Sequence, residues 1–222
     1  MRLIIIGGGG FGLELYTYIS ADVAMGHLPA DTSIGVIDDG AQCEILRRIP
    51  QAEYLGPLSE YQALEGDRGL IALGSAGNRK RIAALAKARG LALGRYIHST
   101  AWVAPNATLG NGVVICANVV VSAFAHIADN VAINVFGGVG HGAFVGEHSV
   151  LGPYSVINGD CSLGEGCLLG SRATLFPRVQ LGRGCTVDAH TAVRMSAGDF
   201  KILSTKRQDL VLDNRLAVRD LA

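Results

Sequence analysis

Gly7, Gly9 and Gly12 are spaced G-x-G-x-x-G, after a short apolar run and before a helix-like stretch. In that setting glycines let the backbone approach a phosphate at a helix N-terminus. Gly10 makes the run continuous, and Asp38 and Asp39 lie in the turn after the next apolar segment. A carboxylate there could take the ribose of NAD. In a second reading the loop holds the nucleotide of another substrate; in a third it binds nothing and only docks the sheet. Ser75 and Asn78, after a third apolar segment, would add polar contacts at the same edge. The five cysteines are an odd number, unsuited to a complete disulfide framework. No set of them converges with further ligands, so no metal is expected.

The elements around the loop alternate. Leu3 to Ile6 form an apolar strand, Phe11 to Ala24 a helix with Phe11, Leu15, Tyr18 and Ile19 at helical spacing, and Ile34 to Ile37 a second strand. Gly69 to Gly74 read as a third strand and Asn78 to Arg89 as a helix. Its Ile82, Leu85 and Ala86 are expected inside, and Arg79, Lys80, Arg81, Lys87 and Arg89 mostly outside. Unbroken apolar strands alternating with helices predict a small parallel Rossmann-type sheet covered on both faces, over residues 1–94.

From residue 95 the period changes to six. Starting at Ile97, every sixth residue to Val193 is Val, Ile or Leu, and four residues after each sits a small or compact residue. Such hexads predict a parallel β-helix over 95–198: one aliphatic per short strand fills a narrow prism, and glycine or Asn permits the corners. Three hexads make one coil, so residues eighteen apart stack, as Gly146, Gly164 and Gly182 do. An ordinary sandwich would have period two and irregular turns. Cys161, Cys167 and Cys185 fall in the small slot as compact fillers. His141 lies two residues past an interior position, where a side chain could face a cleft. His126, His148 and His190 take variable positions, His98 precedes the helix proper and His27 lies in a loop. Val120, Phe124, Phe136, Phe144 and Tyr154 fall at non-interior phases, leaving apolar faces that association would cover. Residues 199–222 form a tail.

Lys plus Arg and Asp plus Glu are 19 each, with no basic block, so nothing points to nucleic acid or an anionic membrane surface. No apolar run approaches the roughly 18 residues needed to span a bilayer, and the opening MRLIIIGGGG reads as a first strand, so a cytoplasmic location is expected.

A Gly-rich Rossmann-like front followed directly by hexapeptide repeats resembles the sialic acid and bacillosamine type of sugar O- and N-acetyltransferases. The strongest local match is INVFGGVGHGAFVGEHSVLGPYSVINGD, with Asn134 and His141 seven apart and Ala143, Val145 and Gly146 following. The resemblance implies a left-handed helix, a homotrimer, and acetyl-CoA in the cleft between neighbouring helices as cosubstrate. It also implies a sugar or sugar-nucleotide acceptor, held by Gly7, Gly9, Gly10, Gly12, Asp38, Asp39 and Asn134, in surface glycan biosynthesis. His141 inherits the role of the base that deprotonates the acceptor amine or hydroxyl, a reaction suited to an imidazole. Gly159, Ser171 and Ala189 match the CoA-binding positions, and Lys201, Lys206 and Arg207 could meet CoA phosphates.

The chain departs from the family pattern at four places. The acid after the histidine is Gly142, so a backbone carbonyl or a neighbouring coil must orient His141. A second histidine is Val150, with Glu147 or His148 as substitutes. Phe11 stands where relatives often have His, and a closing Gly-x-Pro-Ala segment is missing. A non-sugar acceptor, or a trimeric nucleotide- or CoA-binding protein that has lost catalysis, are the alternatives.

Overall fold

The computed structural model describes residues 1–205; the tail residues Lys206 and Arg207 lie outside them. Strands β1 (Arg2–Ile6), β2 (Ser33–Ile37), β3 (Glu53–Tyr54) and β4 (Asp67–Ile71) form a parallel sheet in the order β3-β2-β1-β4. Ile5, Val36 and Leu70 face helix α1 (Gly10–Ala24) through Leu15 and Ile19. Ile4, Ile6, Ile37 and Ile71 face helix α3 (Ala76–Ala88) through Ile82 and Ala86. Coverage on both faces is why these strands are apolar without alternation. Helix α2 (Glu44–Arg48) and β3 escape the sequence reading because five and two residues are too few to display a period.

Two expectations for this domain are corrected. The third strand begins at Asp67 rather than Gly69, and its backbone continues sideways: Gly69 bridges Leu93, so the chain leaves the domain as one more sheet edge. Arg79, expected on the solvent side of α3, is fully buried. Its helix face turns toward the second domain, which the periodicity of one helix does not reveal.

Residues 96–203 form a left-handed parallel β-helix of two-residue rungs. The first face runs from Tyr96–Ile97 through Val114–Ile115 and Ala132–Ile133 to Ile202–Leu203, the second from Trp102–Val103 to Ala192–Val193, and the third from Thr108–Leu109 to Gln180–Leu181. Partners lie eighteen residues apart, as in Val120↔Gly138↔Val156. The aliphatic of each hexad from Ile115 to Val193 is buried in the shared core. Ile97 differs, 40% exposed at the open start of the prism. The period breaks once more at the far end: Leu181 bridges Ala197 and Thr186 pairs with Ile202, each sixteen residues on. Ala197, expected in a small-residue slot, therefore occupies a rung, and the rungs continue past residue 198 to Leu203.

The corners explain the rest of the hexad. Asn118, Phe124, Asn130, Phe136, Gly142, His148, Tyr154 and Asp160 all have φ between 55° and 63°, one residue in six in the left-handed region. Each non-glycine there costs roughly 1–2 kcal/mol, offset by the coil-to-coil hydrogen bonds on either side, such as Asp160 N–H to the His141 carbonyl at 2.9 Å. Cys161, Cys167 and Cys185 fill the small slots and also tie the corners, their thiols donating to the carbonyls of Phe176, Gly182 and Gly198 at 3.0–3.1 Å. Burial pushes the Cys167 thiol up to about 11, so it remains a donor.

The front domain seats itself on the first face and on the edge between the third and first faces. Tyr96, Val114 and Cys116 join the core beneath α1, and the Tyr96 hydroxyl donates to Asp22 at 2.7 Å. Arg79 Nε and Nη2 donate to the backbone carbonyl and side-chain oxygen of Asn130 at 2.9 and 2.8 Å, and Nη1 donates to the Ile71 carbonyl. Burial lowers its pKa to about 9, still above neutrality, so a charged guanidinium held by carbonyl oxygens links the domains.

Candidate active site

Each coil has three corners, and the stacked corners form three long edges. His141 stands on the edge between the second and third faces, with its side chain 70% exposed. The half-buried Gly159, eighteen residues on, forms its platform: a Cβ on Gly159 would lie 2.5 Å from both Cε1 and Nε2 of the imidazole. Glycine at 159 is therefore what lets the ring lie against the next coil. Gly142 follows in the left-handed conformation, and a Cβ there would meet the Asp160 carboxylate at 2.5 Å. Asp160 Oδ1 lies 3.8 Å from His141 Nδ1. Sequence reasoning left Asp160 unnamed, although stepping eighteen residues from Gly142 lands on it.

The edge between the first and second faces carries Asn134, Ser171 and Ala189. Asn134 Nδ2 donates to the Leu151 carbonyl at 3.1 Å, and Ser171 and Ala189 are exposed one coil apart. A stacked ladder runs along this edge: Phe136 on Tyr154 with ring centroids 4.8 Å apart, and the Arg172 guanidinium 4.8 Å from the Tyr154 ring. Within one chain, then, His141 and Gly159 share one edge, while Asn134, Ser171 and Ala189 share another.

The third edge faces the front domain. Glu147 and His148, the expected substitutes for the second histidine, are here rather than beside His141, because seven residues carry the chain round to the next corner. His148 is mostly buried, with Nδ1 2.9 Å from Asn130 Nδ2 and Nε2 3.7 Å from Glu147, and burial lowers its pKa. Val150 is buried on the first face. His126 stacks on Phe144 at 5.2 Å, His98 packs edge-on to Tyr18 at 4.7 Å, and His190 is an exposed corner residue.

In the glycine loop the residues divide by cause. Side chains at Gly7, Gly8 and Gly12 would strike Leu73, Cys43 and the Gly7 carbonyl at 2.9, 2.3 and 2.0 Å. Gly9 and Gly10 meet nothing within 4 Å, so space stands open before the first turn of α1. Asp38 fastens the loop, accepting from Gly8 N–H at 2.7 Å and Gly40 N–H at 2.9 Å, whereas Asp39 is exposed. A cavity of about 130 Å³ beside them is lined by Gly7, Asp38, Asp39, Asn78 and Arg81. Ser75 caps α3, accepting from Asn78 N–H at 3.4 Å. An acidic end (Asp39), a cation (Arg81) and free helix N–H groups together suit a phosphorylated, hydrogen-bonding ligand.

Comparison with known proteins agrees with this architecture. The family described as bacterial transferase hexapeptide (six repeats) matches residues 142–177, and the hexapeptide repeat of succinyl-transferase matches 107–123. No curated protein sequence matches the chain. Among solved structures, the acetyltransferase domain of PglB from Neisseria gonorrhoeae is 25% identical, with a TM-score of 0.80 over 90% of this chain and 95% of that one. PerB from Caulobacter crescentus, solved with CoA and GDP-perosamine, is 28% identical, with a TM-score of 0.74 over 91% of this chain and 93% of that one. WeeI from Acinetobacter baumannii, 16% identical with a TM-score of 0.78 over 92% and 97%, shares the fold. Over nine-tenths of its length, front domain and hexad prism together, the chain is therefore similar to sugar acetyltransferases built on hexapeptide repeats.

Proposed function

We propose that this chain transfers an acetyl group from acetyl-CoA to the amino group of a nucleotide-linked amino sugar, with His141 as general base. The observation that carries the reading is the exposed His141 imidazole laid on the Gly159 backbone at an edge of the prism. Nε2 takes a proton from the acceptor amine as its nitrogen attacks the thioester carbonyl; the tetrahedral intermediate then expels CoA, whose sulfur leaves as thiolate and is reprotonated. An amine is favoured over a hydroxyl because PerB is bound to GDP-perosamine and a further similar structure from the same organism is named a perosamine N-acetyltransferase. The PglB domain binds acetyl coenzyme A.

The acceptor's nucleotide is assigned to the loop of Gly7, Gly9, Gly10 and Gly12, with Gly9 and Gly10 supplying open backbone and Asp39 a free carboxylate. Asp38 serves by holding the loop. CoA is assigned to Gly159, Ser171 and Ala189. Because these positions lie on two edges of one prism, a complete site needs the His141 edge of one copy against the Ser171 edge of another, which a homotrimer provides. The Phe136–Tyr154 ladder and exposed Phe124 and Phe144 give that association an apolar surface. Five free cysteines suit a reducing cytoplasm, where acetyl-CoA is available.

The test is CoA release from acetyl-CoA with 4-amino sugar nucleotides, sialic acids and plain sugars, comparing wild type with His141→Ala. Turnover confined to amino sugar nucleotides and lost in the variant is the expected result. Turnover with hydroxyl acceptors alone would overturn the amine assignment, and a fully active variant would overturn the base.

A further inference from the structure

The resemblance places a carboxylate directly after the histidine, and residue 142 is a glycine. An isolated imidazole on an exposed edge has no fixed tautomer, and a base working through Nε2 needs its proton on Nδ1. The residue stacked beneath Gly142 in the next coil is Asp160, whose backbone N–H donates to the His141 carbonyl at 2.9 Å. Asp160 Oδ1 sits 2.5 Å from the point a Gly142 Cβ would occupy, and 3.8 Å from His141 Nδ1. The carboxylate has thus not been lost from this place but enters it from the other side. Glycine at 142 and aspartate at 160 are a matched pair, since any side chain at 142 would collide with that carboxylate.

We infer that Asp160 is the positioning residue for His141, contributing across the coil boundary the carboxylate that Gly142 cannot carry. This rests on the reading of His141 as the base. The Gly159 platform fixes the plane of the ring, Asp160 draws the proton to Nδ1, and Nε2 is left to accept the acceptor's proton. The imidazolium formed during transfer is then stabilised by the neighbouring negative charge. Asp160 is the charged group within 4 Å of the ring among the described residues; Ala123 and Phe124 in the preceding coil carry no charge, and Arg178, a coil further, forms no ion pair with Asp160 among them.

The experiment compares wild type, Asp160→Asn, and the exchange Gly142→Asp with Asp160→Gly, reading kcat, both KM values and the pH dependence of kcat. Asp160→Asn should lower kcat about 10- to 100-fold with little change in KM, and move the acid limb of the profile to lower pH. The exchange should recover much of the rate, because it returns a carboxylate to the same space from residue 142. Wild-type kcat and an unmoved acid limb in Asp160→Asn would overturn the inference. Nitrogen-15 NMR of the histidine rings, assigned with His141→Gln, gives a readout that does not need turnover. Asp160→Asn should raise the fraction of His141 protonated on Nε2, and an unchanged spectrum would overturn the inference even if no acceptor is turned over. Absence of turnover in wild type with every acceptor would instead count against the acetyltransfer reading itself.

Discussion

His141 and His148 stand seven residues apart on adjacent edges of one prism, beside corners of the same backbone geometry, and have opposite fates. His141 is 70% exposed, lies on a glycine and faces a carboxylate. His148 is itself a corner residue, 13% exposed, and its Nδ1 meets Asn130, the residue that also receives Arg79 from the front domain. What separates them is not the hexad, which treats both as variable positions, but what lies outside the edge. The third edge is partly covered by α3 within the same chain, with Arg79 on Asn130 and Lys80 on Glu165, so several of its polar groups are engaged in a domain seam beside a cavity of about 390 Å³. The edge between the second and third faces carries no such cover among the described residues, and its imidazole stands exposed. A repeat therefore fixes where side chains emerge, while the attached domain decides which edge remains available for chemistry.

The comparison breaks most visibly at His141. Replacing it with Ala removes the proposed base and should cut kcat by about 10²- to 10⁴-fold, leaving the melting temperature close to wild type because the side chain is exposed. The same replacement at His148 should leave kcat largely intact. Comparable losses at both histidines would abolish the distinction between the edges.

The next effect lies in the seam. Arg79→Ala strips Asn130, Ile71 and Leu73 carbonyl groups of their buried donor. Each buried acceptor left without its donor costs about 1–3 kcal/mol, so chemical denaturation should show a much weaker protein. If the two domains unfold separately in the variant but together in wild type, the guanidinium is the coupling between them.

Glycines on the two edges sharpen the contrast further. Gly159→Ala places a methyl group against the His141 ring, the movable end of a side chain rather than backbone. The ring should yield, lowering kcat about tenfold or more through misplacement with little loss of stability. Gly166, on the third edge, has φ +68° and nothing within 4 Å of its missing Cβ. Gly166→Ala should cost about 1 kcal/mol in stability and leave kcat unchanged. A rise in the KM for acetyl-CoA at constant kcat in Gly159→Ala would assign that glycine to CoA rather than to the histidine.

The fold was legible because its determinants are local and repeated. One aliphatic per hexad, held in phase from Ile97 to Val193, can be satisfied by a prism and by little else, and the G-x-G-x-x-G loop sits where strand meets helix. The failures have the same physical origin, contacts that no local period encodes. Arg79 looks solvent-facing because helical spacing does not know that Asn130, 51 residues on, will receive it. Ala197 changes slot because the last coil is two residues short. At the candidate site His141 was singled out by its place in the hexad, whereas Asp160 was not named: a neighbouring coil was expected to supply the orienting group, but no residue of it was identified. Gly159 was read for CoA, and its role under the imidazole emerged only from the stacked geometry.

The smallest effect concerns acid stability at the seam. Burial, countered by Glu147 and Glu165 and aided by Lys80 and Arg79, lowers the pKa of His148 from 6.5. The unfolded chain then binds a proton near 6.5 that the folded state resists. Stability from this residue is complete above that value and falls as pH drops through it, until the folded histidine also titrates. His148→Gln keeps an acceptor for Asn130 but cannot be charged. Between about pH 7.5 and about pH 5, wild type should therefore lose more melting temperature than the variant. Equal losses would mean that the seam admits the protonated ring, its charge taken up by Glu147, and that the third edge is less closed than its packing shows.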